Sequence, residues 1–203
     1  MSRSSYIAFE KGEKEPSFTQ AMKLAGLFGL TVDELMVGQR PNYDKYKEMI
    51  IAFLREAKRY EVTLRKTKLA KLLYLADFAR FYKTNQSISG MAYRKIEYGP
   101  VPDAYFRVLE ELEGDADISI KIETLEGKSM FSISETRASE RNDFEKLNVE
   151  ELGLISKVWE KWKDANTQEI VKFTHEQVPY KNTVRDQIIP YDLIMQEKEE
   201  YVY

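Results

Sequence analysis

Few residues in this chain are placed to do chemistry. His175 is its only histidine, and Glu176 follows it directly. A His-Glu pair opens the zinc-protease motif, which needs a second histidine four residues on, one helical turn along the same face. Pro179 stands at that position. The simpler expectation is that His175, beside a proline bend, bonds a backbone carbonyl or packs. Asp77 is a second candidate, a carboxylate inside an otherwise apolar run with Arg80 three residues on. Burying an aspartate is costly unless it is paired, so its position predicts a specific partner. A structural ion pair, or a hydrogen bond to the Tyr98-Gly99 corner, is favoured over a functional acid. Glu110, Glu111 and Glu113 crowd one helix end; a solvated face is the plainer reading than a cation site.

Other chemistry is excluded by what the sequence lacks. With no cysteine, disulfides, thiolate zinc sites, iron-sulfur clusters and cysteine nucleophiles fall together, and a reducing compartment fits. Gly26 and Gly29 match neither common phosphate-loop pattern. No catalytic residue, metal or cofactor is therefore expected. The net charge of −3 provides no global field to gather nucleic acid or an anionic membrane. The first residues lack the continuous apolar core of a secretion signal, so a cytoplasmic location is expected. At 203 residues, 43% apolar and 32% charged, the chain is long enough for one substantial core, with room for a small appendage.

The elements that must position these residues are organised around one stretch. Between Leu69 and Tyr82 the apolar side chains cover nearly the whole helical circumference, which marks a buried central helix. Lys71, Asp77 and Arg80 make it too charged, and its length too short, for a membrane span. Turn-formers from Asn85 to Gly90, a β-prone run from Ala92 to Ile96 and a Gly99-Pro100-Val101-Pro102 corner follow, with Pro102 read as the first-turn proline of the next helix. Tyr46, Met49, Ile50, Phe53, Leu54 and Ala57 define an amphipathic helix before it, and the basic run from Arg55 to Lys68 reads as a solvated loop and helix start. A helix through Tyr105, Phe106, Leu109 and Leu112 ends at Gly114. Then Ile118, Ile120 and Ile122 alternate with polar residues, answered by Phe131 and Ile133 across a Glu126-Gly127 turn, as in a hairpin with one wet face. After a polar connection, Asn148 with Glu151 caps a helix carrying Leu152, Ile155, Trp159 and Trp162. A last helix, Thr167 to Gln177, leads to a Val178-Pro179-Tyr180 bend and an acidic tail expected to fray. The fold class is α+β, predominantly α-helical, with helices around a buried central helix and a small antiparallel sheet.

Two resemblances divide the chain. Residues 1–40, with the Ser2-Arg3-Ser4-Ser5 helix start, Glu10-Lys11-Gly12, Pro16, Leu24-Ala25, Gly29 and Asp33-Glu34-Leu35, resemble the back half of a Cro/repressor-type helix-turn-helix. That likeness implies that the helix from Ser2 is the recognition helix, with Arg3, Ser4 and Ser5 facing DNA, and that the head is truncated, its two preceding helices missing. It includes capping boxes at Ser17 with Gln20 and Thr31 with Glu34, and a third short helix around Val32 to Met36.

Residues 43–203 resemble the Panacea, or SocA-like antitoxin, domain. The likeness rests on Leu72 to Phe78, Ile88, Gly90, Tyr93, the Tyr98-Gly99-Pro100-Val101-Pro102 corner, Leu109, His175, Pro179 and Tyr180, the last standing where a tryptophan is expected. Asp77, Tyr98, Gly99, Pro100, Pro102, His175 and Tyr180 are thus the motif residues. The resemblance implies a protein that neutralises a cognate toxin by direct binding and is not an enzyme. Repression of its own operon through operator DNA, and delivery of a partner to a protease, stay open as alternatives, as does a homodimer. Tyr60, Tyr74, Tyr82, Tyr93, Tyr98 and Tyr105 are candidates for an exposed binding patch.

Overall fold

The central helix forms as its composition requires. Helix α4 (Lys66–Thr84) buries an unbroken run from Lys68 to Ala79 and ends where Asn85 adopts the left-handed conformation. The computed structural model describes residues 2–11, 13–29, 32, 35, 38–125, 128–141 and 143–203. The helix expected around Val32 to Met36 falls largely on residues outside that description, as do the Gly12 stop and the Glu126-Gly127 turn.

In chain order, the elements before α4 are α1 (Arg3–Glu10), α2 (Phe18–Phe28), α3 (Tyr43–Arg59) and β1 (Leu64–Arg65). Those after it are β2 (Tyr93–Ile96), β3 (Gly99–Pro102), α5 (Tyr105–Gly114), β4 (Ile118–Leu125), β5 (Lys128–Glu135), α6 (Val149–Trp162), α7 (Thr167–Glu176) and α8 (Val178–Asn182), with short 3₁₀ turns at Ser139–Arg141, Tyr191–Gln196 and Glu199–Tyr201. Capping residues set several helix starts. Asn42 accepts from Lys45 N at α3, and Ser17 with Gln20 and Asn148 with Glu151 form complete capping boxes at α2 and α6. Helices α3, α6 and α7 pack on α4, and their apolar faces merge with it into one core. The protein is α+β and mostly helical, with an antiparallel sheet in the order β1-β5-β4 and a separate β2-β3 hairpin.

Several details differ from the sequence expectation. Gly99 to Pro102 is a strand, paired from Gly99 with Ile96 to Pro102 with Tyr93. Pro102 therefore ends β3 and does not open a helix; α5 starts at Tyr105. Proline is tolerated there because β3 is an edge strand with no neighbour needing its N–H. The run from Arg55 to Lys68 is only in part the expected solvated loop and helix start: residues 58–61 are exposed and α4 begins at Lys66, but Arg55 pairs with buried Glu135 at 2.7 Å, Leu64 and Arg65 add a strand to β5, and Lys68 is buried. In the hairpin, burial holds at Ile118 and Ile133 near the base and is lost at Ile122, where the strands outrun the core.

The tail is also anchored rather than frayed. Val202 is 1% exposed, and Gln177 Nε2 donates to the carbonyls of Tyr201 and Val202. Among the described residues no helix is long and apolar enough to cross a membrane.

Candidate functional site

Asp77 has found its partner, though neither of those expected. Its carboxylate accepts from Ser89 N at 2.7 Å and Tyr93 Oη at 2.8 Å, and also from Ser89 Oγ, while Arg80 turns outward to Glu150. Complete burial raises Asp77 to about 6 against the pull of these hydrogen bonds. Its work is to tie the segment after α4 onto the helix. Gly90 belongs to the same junction: a Cβ there would lie 2.3 Å from Arg40 O. The β2-β3 hairpin is thereby held at a fixed height above α4.

Beneath the hairpin lies the site. The first turns of α4, strands β3 and β5, α5 and α7 enclose an open cleft of about 1100 Å³. Val101, Tyr105, Phe106, Met130, Phe131 and Val171 supply much of its wall. Its polar floor is Lys71 and His175, meeting at Gly99. Lys71 is 2% exposed and donates through Nζ to Pro100 O at 2.9 Å. Gly99 has φ +92, and a Cβ on it would stand 2.7 Å from Lys71 Cε, 2.9 Å from Nζ and 3.2 Å from His175 Nε2. Glycine is required there both for the backbone conformation and for the approach of two side chains.

His175 is placed by the proline bend. Helix α7 ends just after it, Pro179 opens α8, and Tyr180 folds back so that the two rings stack 4.3 Å apart at 5°. Tyr180 Oη donates to Ile96 O at 2.8 Å, tying the stack to the hairpin, and Lys95 Nζ sits 4.6 Å from the Tyr180 ring centre. The phenol's polar tip thus has the bond that a buried tyrosine needs at the position where the family likeness leads one to expect tryptophan. His175 packs, as expected, but bonds no carbonyl through Nε2, which is buried without a hydrogen-bond partner.

Two displaced basicities follow. Burial lowers Lys71 from 10.5 to about 7. His175 is also lowered, first by burial and then by the charges of Lys71 and Lys95. At the cleft's edge, cations are occupied: Arg65 pairs with Glu123 at 2.7 Å, and Lys66 lies over the rings of Phe106 and Phe131. Among the described residues no cluster of His, Asp and Glu is arranged to hold a metal; Glu110, Glu111 and Glu113 are exposed.

Of the residues singled out from sequence, Tyr98, Gly99, Pro100, His175 and Tyr180 come together here. Asp77 tethers the hairpin through Ser89 and Tyr93, and Pro102 ends its second strand opposite Tyr93; neither lines the cleft. Arg3, Ser4 and Ser5 sit at the start of α1, away from the cleft lining, with Ser2 Oγ capping Ser5 N and bonded to both serine hydroxyls. Of the candidate tyrosines, Tyr98 is 69% and Tyr60 42% exposed, whereas Tyr74, Tyr93 and Tyr105 are buried.

Lys71 was missed as a site residue. The signal was available, because a lysine between Ala70 and Leu72 on a helix that is apolar nearly all round must be buried by the same logic that singled out Asp77.

Residues 69–181 match the family described as antitoxin SocA-like, Panacea domain. The matched region contains Lys71, Asp77, the hairpin, His175 and Tyr180. No curated protein and no solved structure matches the chain.

Proposed function

This chain belongs to the SocA-like antitoxin family, Panacea domain, and from that premise we propose that it neutralises a toxin protein by direct binding, with the cleft above Lys71 and His175 as the contact surface. One observation carries this reading. The cleft is rimmed by exposed aromatic side chains, Tyr98, Phe106 and Phe131. Exposed apolar groups gathered at a concavity are characteristic of binding surfaces, and buried aromatic anchors carry most of the energy at protein interfaces. The rim is also held rigidly, by the Asp77 tether behind the hairpin and the His175–Tyr180 stack below it. Less conformational freedom is then lost on association.

The test is co-expression with the protein encoded beside it. That neighbour arrests growth when expressed alone, and this chain relieves the arrest and co-purifies with it. Phe106→Asp, on an exposed position, leaves the fold intact and abolishes both relief and co-purification. Full relief by the Phe106→Asp protein would remove the cleft from the contact surface.

The N-terminal segment supports a second reading, repression of the operon. Arg3 and Ser4 are exposed at the first turn of α1, where helix N–H groups and positive charge meet phosphates in helix-turn-helix proteins. Its signature is binding to promoter DNA that weakens steeply with salt and is lost on Arg3→Ala. Salt-independent binding, or binding unchanged in the variant, would remove it.

A further inference from the structure

The cleft floor is built for a ligand group of one particular kind. A lysine ammonium has three donors, and Pro100 O takes one of those on Lys71. Nε2 of His175, a few ångströms away, is buried and has no partner. Both nitrogens lie within 3.2 Å of the place a Gly99 Cβ would take, so they are near enough to each other for one group with two acceptor oxygens, entering from the cleft, to reach both. No carboxylate of the chain is bonded to Lys71 among the described residues; Glu176, the acidic residue in the lining, faces Lys172. A buried ammonium without a counter-ion is unfavourable, and an incoming anion relieves it.

We propose that this floor is a carboxylate receptor: an acidic side chain carried on an apolar segment of the toxin enters the cleft and accepts hydrogen bonds from Lys71 Nζ and His175 Nε2. The inference rests on the reading of the cleft as the toxin's contact surface and adds the chemistry of what enters it. The apolar walls select a singly charged group over a phosphate, whose dehydration they would not compensate. A protein segment fits better than a free metabolite, because the cleft is open and rimmed by exposed Tyr98, Phe106 and Phe131, whereas small-molecule pockets enclose most of their ligand's surface. Gly99 is then a specificity element, since any side chain there would push Lys71 and His175 out of position.

His175, as the sole histidine, gives one imidazole resonance and hence a local reporter. The probe is 3-phenylpropanoate, an apolar body with one carboxylate, and the control is its neutral amide. The acid shifts the His175 ring signal saturably and the amide does not. Lys71→Met weakens binding of the acid at least tenfold. When the chain is saturated with toxin, the acid no longer moves the signal.

Equal responses to acid and amide, no response to either, or undiminished binding of the acid by the Lys71→Met protein would overturn the receptor. A toxin-saturated sample that still responds would overturn the toxin as occupant and leave a free carboxylate in the site. Should Lys71→Met fail to fold, His175→Gln, read through broadening of the probe's own ring protons, must show the same tenfold loss. Neutralisation is scored separately by growth. A failed probe experiment with neutralisation intact therefore sinks the receptor alone, whereas failure of neutralisation sinks the broader reading.

Discussion

Replacing Lys71 with methionine is expected to stabilise the fold while weakening toxin binding. The two side chains are of similar length, so the core around α4 is conserved while the charge is removed. Burial lowers Lys71 from 10.5 to about 7. At about 1.4 kcal/mol per pKa unit, holding the ammonium inside the fold costs roughly 5 kcal/mol at or below pH 7. The substitution forfeits the charged hydrogen bond to Pro100 O, a loss of about 2–3 kcal/mol. The net gain at pH 7 is then about 2 kcal/mol, or roughly 5 °C in Tm for a chain of this size.

The pH dependence makes this prediction specific. Because the folded-state pKa is depressed, the folded protein binds fewer protons than the unfolded one between pH 7 and 10.5, and wild-type stability rises with pH across that window. Below pH 7 the penalty is present in full. Urea unfolding followed by fluorescence of Trp159 and Trp162 measures both proteins from pH 6.5 to 10. The difference between them isolates Lys71 from the other lysines and tyrosines that titrate there. Lys71→Met should be the more stable protein at pH 7 by about 2 kcal/mol, with the two curves crossing between about pH 8 and 9 and the wild type the more stable by about 2 kcal/mol at pH 10. A variant destabilised at pH 7 by 2 kcal/mol or more, or a difference that does not change with pH, would refute the reasoning.

Further expectations follow from the supporting geometry. Asp77→Ala leaves Ser89 and Tyr93 without their acceptor and should destabilise by about 3–5 kcal/mol in urea titrations. Asp77 is raised by burial to about 6, so the folded state holds its proton longer and stability falls as pH rises from 3.8 to 6. Relative to Asp77→Asn, the wild type should lose roughly 3 kcal/mol across that window. Gly99→Ala places a methyl against Lys71 Nζ at a positive φ; toxin affinity measured by calorimetry should fall at least tenfold, with a Tm drop accompanying it. Removal of residues 199–203 exposes the contacts of Val202 and orphans Gln177, and should lower stability by about 2–3 kcal/mol by thermal unfolding.

Much of the fold could be read from local pattern. Helix α4 announced itself because a run apolar nearly all round has no exposed face to offer, and the capping boxes at Ser17 and Asn148 marked helix starts through side chains three residues apart. Long-range pairing could not be read this way. Gly99 to Pro102 has the composition of a corner, and it becomes a strand because Tyr93 to Ile96 lies antiparallel beside it. Leu64 and Arg65 are too few to signal a strand; β5 makes them one. The tail looked frayed because its charges dominate the composition, while a single Val202 seated in the core holds it.

The site was half legible. Tyr98, Gly99, Pro100, His175 and Tyr180 are named by the family resemblance, but that resemblance says nothing of why Gly99 must lack a side chain. The reason is a lysine twenty-eight residues earlier, and only the fold brings the two together. In the sequence Lys71 counts as a charge against membrane insertion; in the fold it is a buried group in need of a counter-ion. The Asp77 partners were equally out of reach, since Ser89 lies in a turn with no periodicity to place it.

The most direct test of the account is amide hydrogen exchange of the chain alone and in complex with its toxin. Binding at the cleft should slow exchange in the hairpin between Lys95 and Val101, in the first turns of α7 and along β5 near Phe131, while the outward face of α6 is unchanged. Protection confined to α6 or to the N-terminal segment, with exchange in the hairpin and α7 unaltered, would contradict the claim that the toxin is held above Lys71 and His175.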